Sequence, residues 1–264
     1  MKERPILEYA LHPADGSRVT PEAYLNEYGN LPPGVRPAVR CPVCHEDVRI
    51  ARLHDRAQTR HFVHASGMEA LCPLVNHGMP DAVPVMQRAP DAARERRHRD
   101  DFLAHWRLHL QAMREVAPEF SVLRFTRAIE HADVLRLWAC PTLAQADVPY
   151  ILLVLSAFIA AVPGPPYRAW LRFWFDASVK EVADLRAPRD MPARLFRLRY
   201  RGTQAAMFPD ARHLIEWAEV PMAADFLNQA TPRFLSSEVF AFEAFARQNR
   251  LRAANEEKLT PRSE

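Results

Sequence analysis

Apolar and polar positions alternate at the start of the chain and later settle into three- and four-residue steps. Ile6-Leu-Glu-Tyr-Ala-Leu11 followed by Asp15-Gly16 reads as a strand entering a turn, with Arg18-Val-Thr20 as its returning partner. Val48-Arg-Ile50 predicts one arm of a second hairpin, and His61-Phe-Val-His64 the strand that comes back along it. Beyond residue 90 the period changes. Phe102, Trp106, Leu110 and Met113 recur on one face of a helix predicted over 92–115, with Leu103 widening the stripe. Strand character returns in Trp170-Leu-Arg-Phe-Trp-Phe-Asp176 and in Leu195-Phe-Arg-Leu-Arg-Tyr-Arg201. Val239, Phe242 and Phe245 predict a final helix capped by Ser236 or Ser237. The apolar run from Ile151 to Val162 is too short for a membrane span and reads as a buried helix or a strand–helix junction.

These elements predict an α+β or α/β protein in two unequal parts. A small β-rich, zinc-ribbon-like domain covers 1–80, a linker 81–91, a mixed α/β domain 92–250 and a flexible tail 251–264.

The chemistry is concentrated in the first part. Cys41-Pro-Val-Cys44 brings two thiolates within reach of one tetrahedral ion, and one imidazole from His61-Phe-Val-His64 together with Cys72 can complete the set. A redox Cys-x-x-Cys wants a helix start at its first cysteine, whereas Cys41 follows the extended, proline-containing Pro37-Ala-Val-Arg40. The spacing therefore favours a structural zinc site of Cys41, Cys44, His64 and Cys72. His64 is preferred to His61 because it points back to the site, with Ser66-Gly67 permitting the turn towards Cys72. Four protein ligands leave no position open for water, which argues against catalytic zinc. The ion would offset a core too small to stand alone.

The Cys-x-x-Cys, the short hairpin and the His-Phe-x-His arrangement resemble the amino-terminal zinc-binding part of the competence CoiA-like proteins, over residues 5–75. The resemblance implies a following restriction-endonuclease-like domain and a role in handling DNA taken up by bacteria. Such a core holds a divalent metal between an acidic residue at a strand and a later Glu-x-Gln or Glu-x-Lys pair. The chain offers Glu95 and His98 in a helical opening, Glu119 before a strand predicted at Phe120–Leu123, and Asp133 in a strand predicted at Ala132–Leu135. No acidic-x-basic or acidic-x-amide pair follows in Pro149–Leu155. Two-metal hydrolysis needs several carboxylates. The plainer reading has Glu119 capping a strand and Asp133 facing solvent.

Charge adds a second candidate surface. The formal net charge is only +3, and lysine occurs only at Lys2, Lys180 and Lys258, so arginine carries the positive charge. In the 195–201 strand, Arg197, Arg199 and Arg201 share one face, which suits a nucleic-acid backbone as well as a solvated sheet. Arg94, Arg96, Arg97 and Arg99 form another basic patch, broken up by Asp91, Glu95, Asp100 and Asp101. Asp101, His105 and His109 have helical spacing for a second metal, although their place beside the apolar stripe favours packing.

No phosphate loop or dinucleotide loop is present, and Cys140 reads as a packed cysteine. The cysteines do not form a disulfide framework and the opening Met1-Lys-Glu-Arg-Pro predicts no secretory leader, so a bacterial cytoplasmic location is expected. The function expected is binding of DNA or another nucleic acid by a zinc-stabilised, non-enzymatic protein, in DNA processing or defence. A divalent-metal-dependent nuclease and a protein-interaction component of a larger complex are the alternatives.

Overall fold

The early alternation forms a hairpin, as expected. In the computed structural model, which describes residues 7–51, 60–64, 72–74, 91–161, 169–188, 192–202, 209 and 211–259, strand β1 (Ala10–Leu11) pairs antiparallel with β2 (Arg18–Val19), Ala10 opposite Val19. The turn between them closes on Gly16, whose φ of 68° lies in the left-handed region where a side chain is strained. Its amide donates to the His12 carbonyl, and the Asp15 carboxylate accepts from Ser17 N–H at 2.9 Å. Thr20 then caps α1 (Pro21–Tyr28), with Pro21 in the first turn where its missing N–H does no harm.

Three more strands complete this sheet: β3 (Val39–Arg40), β4 (Asp47–Ala51) and β5 (His61–His64). The order is β2-β1-β3-β4-β5, with antiparallel pairing throughout. A mixed α/β region follows. The linker expected at 81–91 lies outside the described residues except for Asp91. The carboxylate of Asp91 accepts the Ala93 and Arg94 amides at 3.0 Å and so caps the next helix.

The helix predicted over 92–115 is two helices, α2 (Ala92–Ala104) and α3 (Trp106–Val116), broken at His105. There φ and ψ are −107° and 17°, and the His105 ring Nδ1 sits 2.9 Å from the Asp101 carbonyl. The apolar stripe survives the break, since Phe102, Trp106, Leu110 and Met113 are all buried.

In place of the strands predicted at 120–123 and 132–135 the chain forms one helix, α4 (Val122–Val134), capped by the Ser121 hydroxyl on Arg124 N–H. Val122, Phe125, Ile129 and Ala132 are buried at helical spacing, so a 3.6-residue period overrides the short β-like runs. The apolar run opens inside α5 (Val148–Leu155), a helix buried at every residue as expected of one that is hydrophobic all round, and leads on to a short strand at Ile159–Ala160.

The second sheet has the order β6-β7-β8-β9: β6 (Ile159–Ala160), β7 (Ala169–Phe175), β8 (Leu195–Arg201) and β9 (Leu214–Val220). β7, β8 and β9 pair antiparallel, Arg172 opposite Leu198 and Leu198 opposite Trp217. Segregated antiparallel sheets and helices place the chain on the α+β side of the expected class.

The last helix, α6 (Ser236–Leu259), runs well into the segment expected to be a tail, and residues 260–264 lie outside the described residues. Its first turn begins on Leu235: the Glu238 and Val239 amides bond the Leu235 carbonyl, and the Glu238 carboxylate accepts Leu235 N–H. That reciprocal contact replaces the serine cap that the sequence predicts.

The chain forms two compact units that are not consecutive segments. One comprises Met1–Pro84 and Ala160–Pro221, and the other Val85–Ile159 and Met222–Glu264. Within the first unit the two sheets are joined by Tyr9 against Trp217 (ring centroids 5.1 Å apart), by an Arg18–Glu219 ion pair, and by backbone contacts around residues 43 and 177. Within the second, Phe102 packs against Phe125 and Trp138, and Trp106 stacks on Phe242 at 4.1 Å.

Candidate metal centre

Cys41 follows directly on β3, and residues 42–44 turn tightly before β4. The turn is closed at its base by Cys41 N–H on the Glu46 carbonyl (2.8 Å) and His45 N–H on the Cys41 carbonyl (3.0 Å). His45 takes a left-handed φ of 59°, which lets the chain reverse immediately after Cys44. Val43 N–H points at the Cys41 sulfur from 3.4 Å.

The register of β4 and β5 decides between the two histidines. His64 lies opposite Val48 and Phe62 opposite Ile50, and along β5 Phe62 and His64 are buried. His61 and His64 are three residues apart, an odd step, so they fall on opposite faces of the strand. His64 is the one that turns inward, and its Nε2 reaches the Cys44 sulfur at 3.2 Å. The Cys72 sulfur lies 3.9 Å from that of Cys41.

Cys41, Cys44, His64 and Cys72 thus form a buried Cys3His cluster whose ligand atoms lie within 4.8 Å of one another. A tetrahedron with Zn–S bonds of about 2.3 Å has S–S edges of about 3.8 Å, and an imidazole nitrogen at about 2.0 Å gives S–N edges of about 3.5 Å. The observed 3.9 Å and 3.2 Å fit those edges with small adjustments. The cluster is able to bind a divalent metal such as zinc, and four protein ligands close the coordination sphere.

The electrostatics point the same way. The Cys44 thiol stands far below the ordinary thiol range because the Cys41 and Cys72 thiols donate to its sulfur, with His64 adding a further contact. Burial pushes Cys41 up to about 12. Cys72 is raised as well, its proton held by the Cys41 and Cys44 sulfurs in a buried setting. A divalent cation among the three sulfurs would supply the positive charge that favours their thiolate forms.

The other candidate residues are not drawn to this centre. β8 sets Arg197, Arg199 and Arg201 on one face and buries Phe196, Leu198 and Tyr200 on the other. The Arg197 and Arg199 side chains are 35% and 51% exposed, and each has a terminal guanidinium nitrogen 3.6 Å from Glu216 on the next strand. The register also puts Phe173 opposite Arg197 and Leu171 opposite Arg199, so an apolar column runs beside the arginine row.

Asp101, His105 and His109 do not come together as a metal site. His109 is fully buried, 4.5 Å from the Phe102 ring, while His105 is about half exposed at the helix break. Among the described residues the Cys3His group alone gathers three or more candidate ligands.

Asp133 is 28% exposed and is tied into a polar cluster. Its carboxylate accepts from Nε and one terminal nitrogen of Arg99 at 2.8 Å and from the Trp138 indole N–H at 2.6 Å. Glu119 precedes the Ser121 cap of α4 and caps no strand. Glu95 pairs with Arg136 at 2.7 Å, and the His98 ring contacts the Trp138 carbonyl.

Sequence reasoning missed Asp176, which is 2% exposed at the end of β7 and lies 3.7 Å from His45 Nε2. Its signal was local: an Asp two residues before a Ser at the end of an aromatic strand, the pattern of an Asx turn. The chain matches no protein-family model, no curated protein and no solved structure.

Proposed function

We propose that this metal-binding protein is a zinc-stabilised nucleic-acid-binding protein that serves DNA processing or defence in a bacterial cytoplasm. The observation that carries the reading is the row of Arg197, Arg199 and Arg201 on one face of β8, in the same compact unit as the Cys3His cluster. Guanidinium groups match phosphate geometry. The contacts to Glu216 are long and the glutamate is 47% exposed, so they compete weakly: exposed ion pairs contribute about 0–1 kcal/mol. The likeness of Cys41-x-x-Cys44 and His61–His64 to the CoiA-like zinc region supports DNA as the polymer handled. In this reading the zinc is structural. It supplies no reactive water, and its ligands hold the sheet that accompanies the arginine strand.

The test is equilibrium binding of zinc-quantified protein to single-stranded and duplex DNA across a salt series, with magnesium added in parallel. The expected result is one zinc per chain, affinity that falls as salt rises, and intact DNA. Replacing Arg197, Arg199 and Arg201 by Gln should weaken binding and reduce the logarithmic salt slope by about 2–3. Absence of binding by folded, zinc-loaded protein, or an unchanged slope in the triple variant, overturns the proposal. Magnesium-dependent cleavage would instead establish the nuclease alternative.

A further inference from the structure

The turn between Cys41 and Cys44 is held from outside its own sheet. Val43 carries two contacts at once: its N–H donates to the Cys41 sulfur at 3.4 Å, and its carbonyl accepts from Ala177 N–H at 2.8 Å. Ala177 sits in the turn that follows β7. That turn is shaped by the Asp176 carboxylate, which is buried and accepts Ser178 N–H at 2.7 Å and Arg194 N–H at 2.6 Å. The Asp176 amide donates in return to the Arg194 carbonyl at 2.9 Å. One carboxylate therefore ties the exit of β7 to the entry of β8 and aims the Ala177 amide at the ligand loop. His45, directly after Cys44, places Nε2 3.7 Å from the same carboxylate.

We infer that Asp176 is a positioning residue of the metal centre, holding the Cys41–Cys44 loop in its ligating shape through Ala177 and Val43. The inference rests on the Cys3His cluster binding a metal. A ligand loop left to relax must be ordered when the ion arrives, whereas one already held binds with less ordering. Outer partners of metal ligands commonly change affinity by about 10–100-fold. The coupling is reciprocal: whatever Asp176 contributes to metal affinity, the metal returns as order in the 176–178 turn and at the start of the arginine strand.

The experiment is a cobalt(II) and zinc(II) titration of the full chain against a competing chelator, comparing wild type, Asp176→Ala, Asp176→Asn and Asp184→Ala. Asp184 accepts the Lys180 and Glu181 amides in a separate, more exposed turn and controls for the loss of a turn carboxylate as such. Asp176→Ala should bind roughly tenfold or more weakly and alter the cobalt absorption bands, with Asp176→Asn, which keeps one acceptor, in between. Asp184→Ala should retain wild-type affinity. Binding by folded Asp176→Ala within about twofold of wild type overturns the inference. Should that variant not fold, amide exchange in the wild type decides: Ala177 should exchange more slowly with metal bound than after chelation, and an unchanged rate overturns the inference. Failure of the wild type to bind either ion would count against the metal centre itself, so the two ideas fail separately.

Discussion

Lowering the pH should weaken this protein through one buried residue remote from the metal ligands in sequence. His109 is fully buried between Phe102 and Phe226, with ring centroids 4.5 and 5.4 Å away. Neither ring nitrogen has a hydrogen-bond partner among the described residues. Burial holds the imidazole down from its ordinary 6.5 to about 3, the positive field of His105 adds to this, and the nearby Gln145 side chain opposes it without reaching hydrogen-bond geometry. Because the folded-state value is depressed, the unfolded chain binds the proton first as the pH falls. The stability His109 allows is thus complete above about pH 6.5 and declines steadily from there towards pH 3.

At about pH 5 the unfolded imidazole is almost fully protonated while the native one is still neutral. Integrating from about pH 7.5 to about pH 5 gives a loss of about 2 kcal/mol, good as an order of magnitude. The assay is urea unfolding followed by tryptophan fluorescence at several pH values, with zinc in excess and ionic strength constant. Wild type is compared with His109→Leu, which keeps an apolar filling without the proton site. Acid loss of thiolate ligands is common to both proteins and cancels in the difference. The wild type should lose about 2 kcal/mol more than the variant between about pH 7.5 and about pH 5. Parallel stability curves for the two proteins would refute the reasoning.

Two further outcomes follow from the same geometry. His64→Ala should lower the zinc content of purified protein from one per chain towards none and destabilise the two-sheet unit. His61→Ala, on the opposite face of β5, should leave the zinc content unchanged, as measured by metal analysis after dialysis. Asp133→Ala strips the acceptor from Arg99 and from the Trp138 indole, and should lower unfolding stability by about 1–3 kcal/mol while zinc content and any DNA affinity persist. A loss of DNA affinity in folded Asp133→Ala would instead mark that carboxylate as functional.

Much of the centre was legible from local spacing. Cys-x-x-Cys after an extended segment sets a ligand turn, and an odd step between His61 and His64 means that one strand can turn only one of them inward. The alternation in 195–201 likewise determined which arginines share a face, because strand side chains repeat every two residues. These are short-range rules, and the residues involved carry them wherever the segment lies.

Longer-range decisions were not available to that reasoning. The helix predicted over 92–115 had the right stripe but not its break at His105, since a stripe of buried residues can cross a kink. The pairing of Asp133 was not legible because its partners, Arg99 and Trp138, approach from a preceding helix and a following turn. Residues 160–221 read as part of one mixed domain with the helices, yet their strands join the unit of the first sheet. Sequence alone determined the periods, the ligand types and which faces they occupy. Tertiary structure decided which segments meet, because burial and hydrogen bonding between distant residues depend on contacts that no local pattern encodes. The Val43–Ala177 bond, joining the ligand turn to a strand end far along the chain, is such a contact.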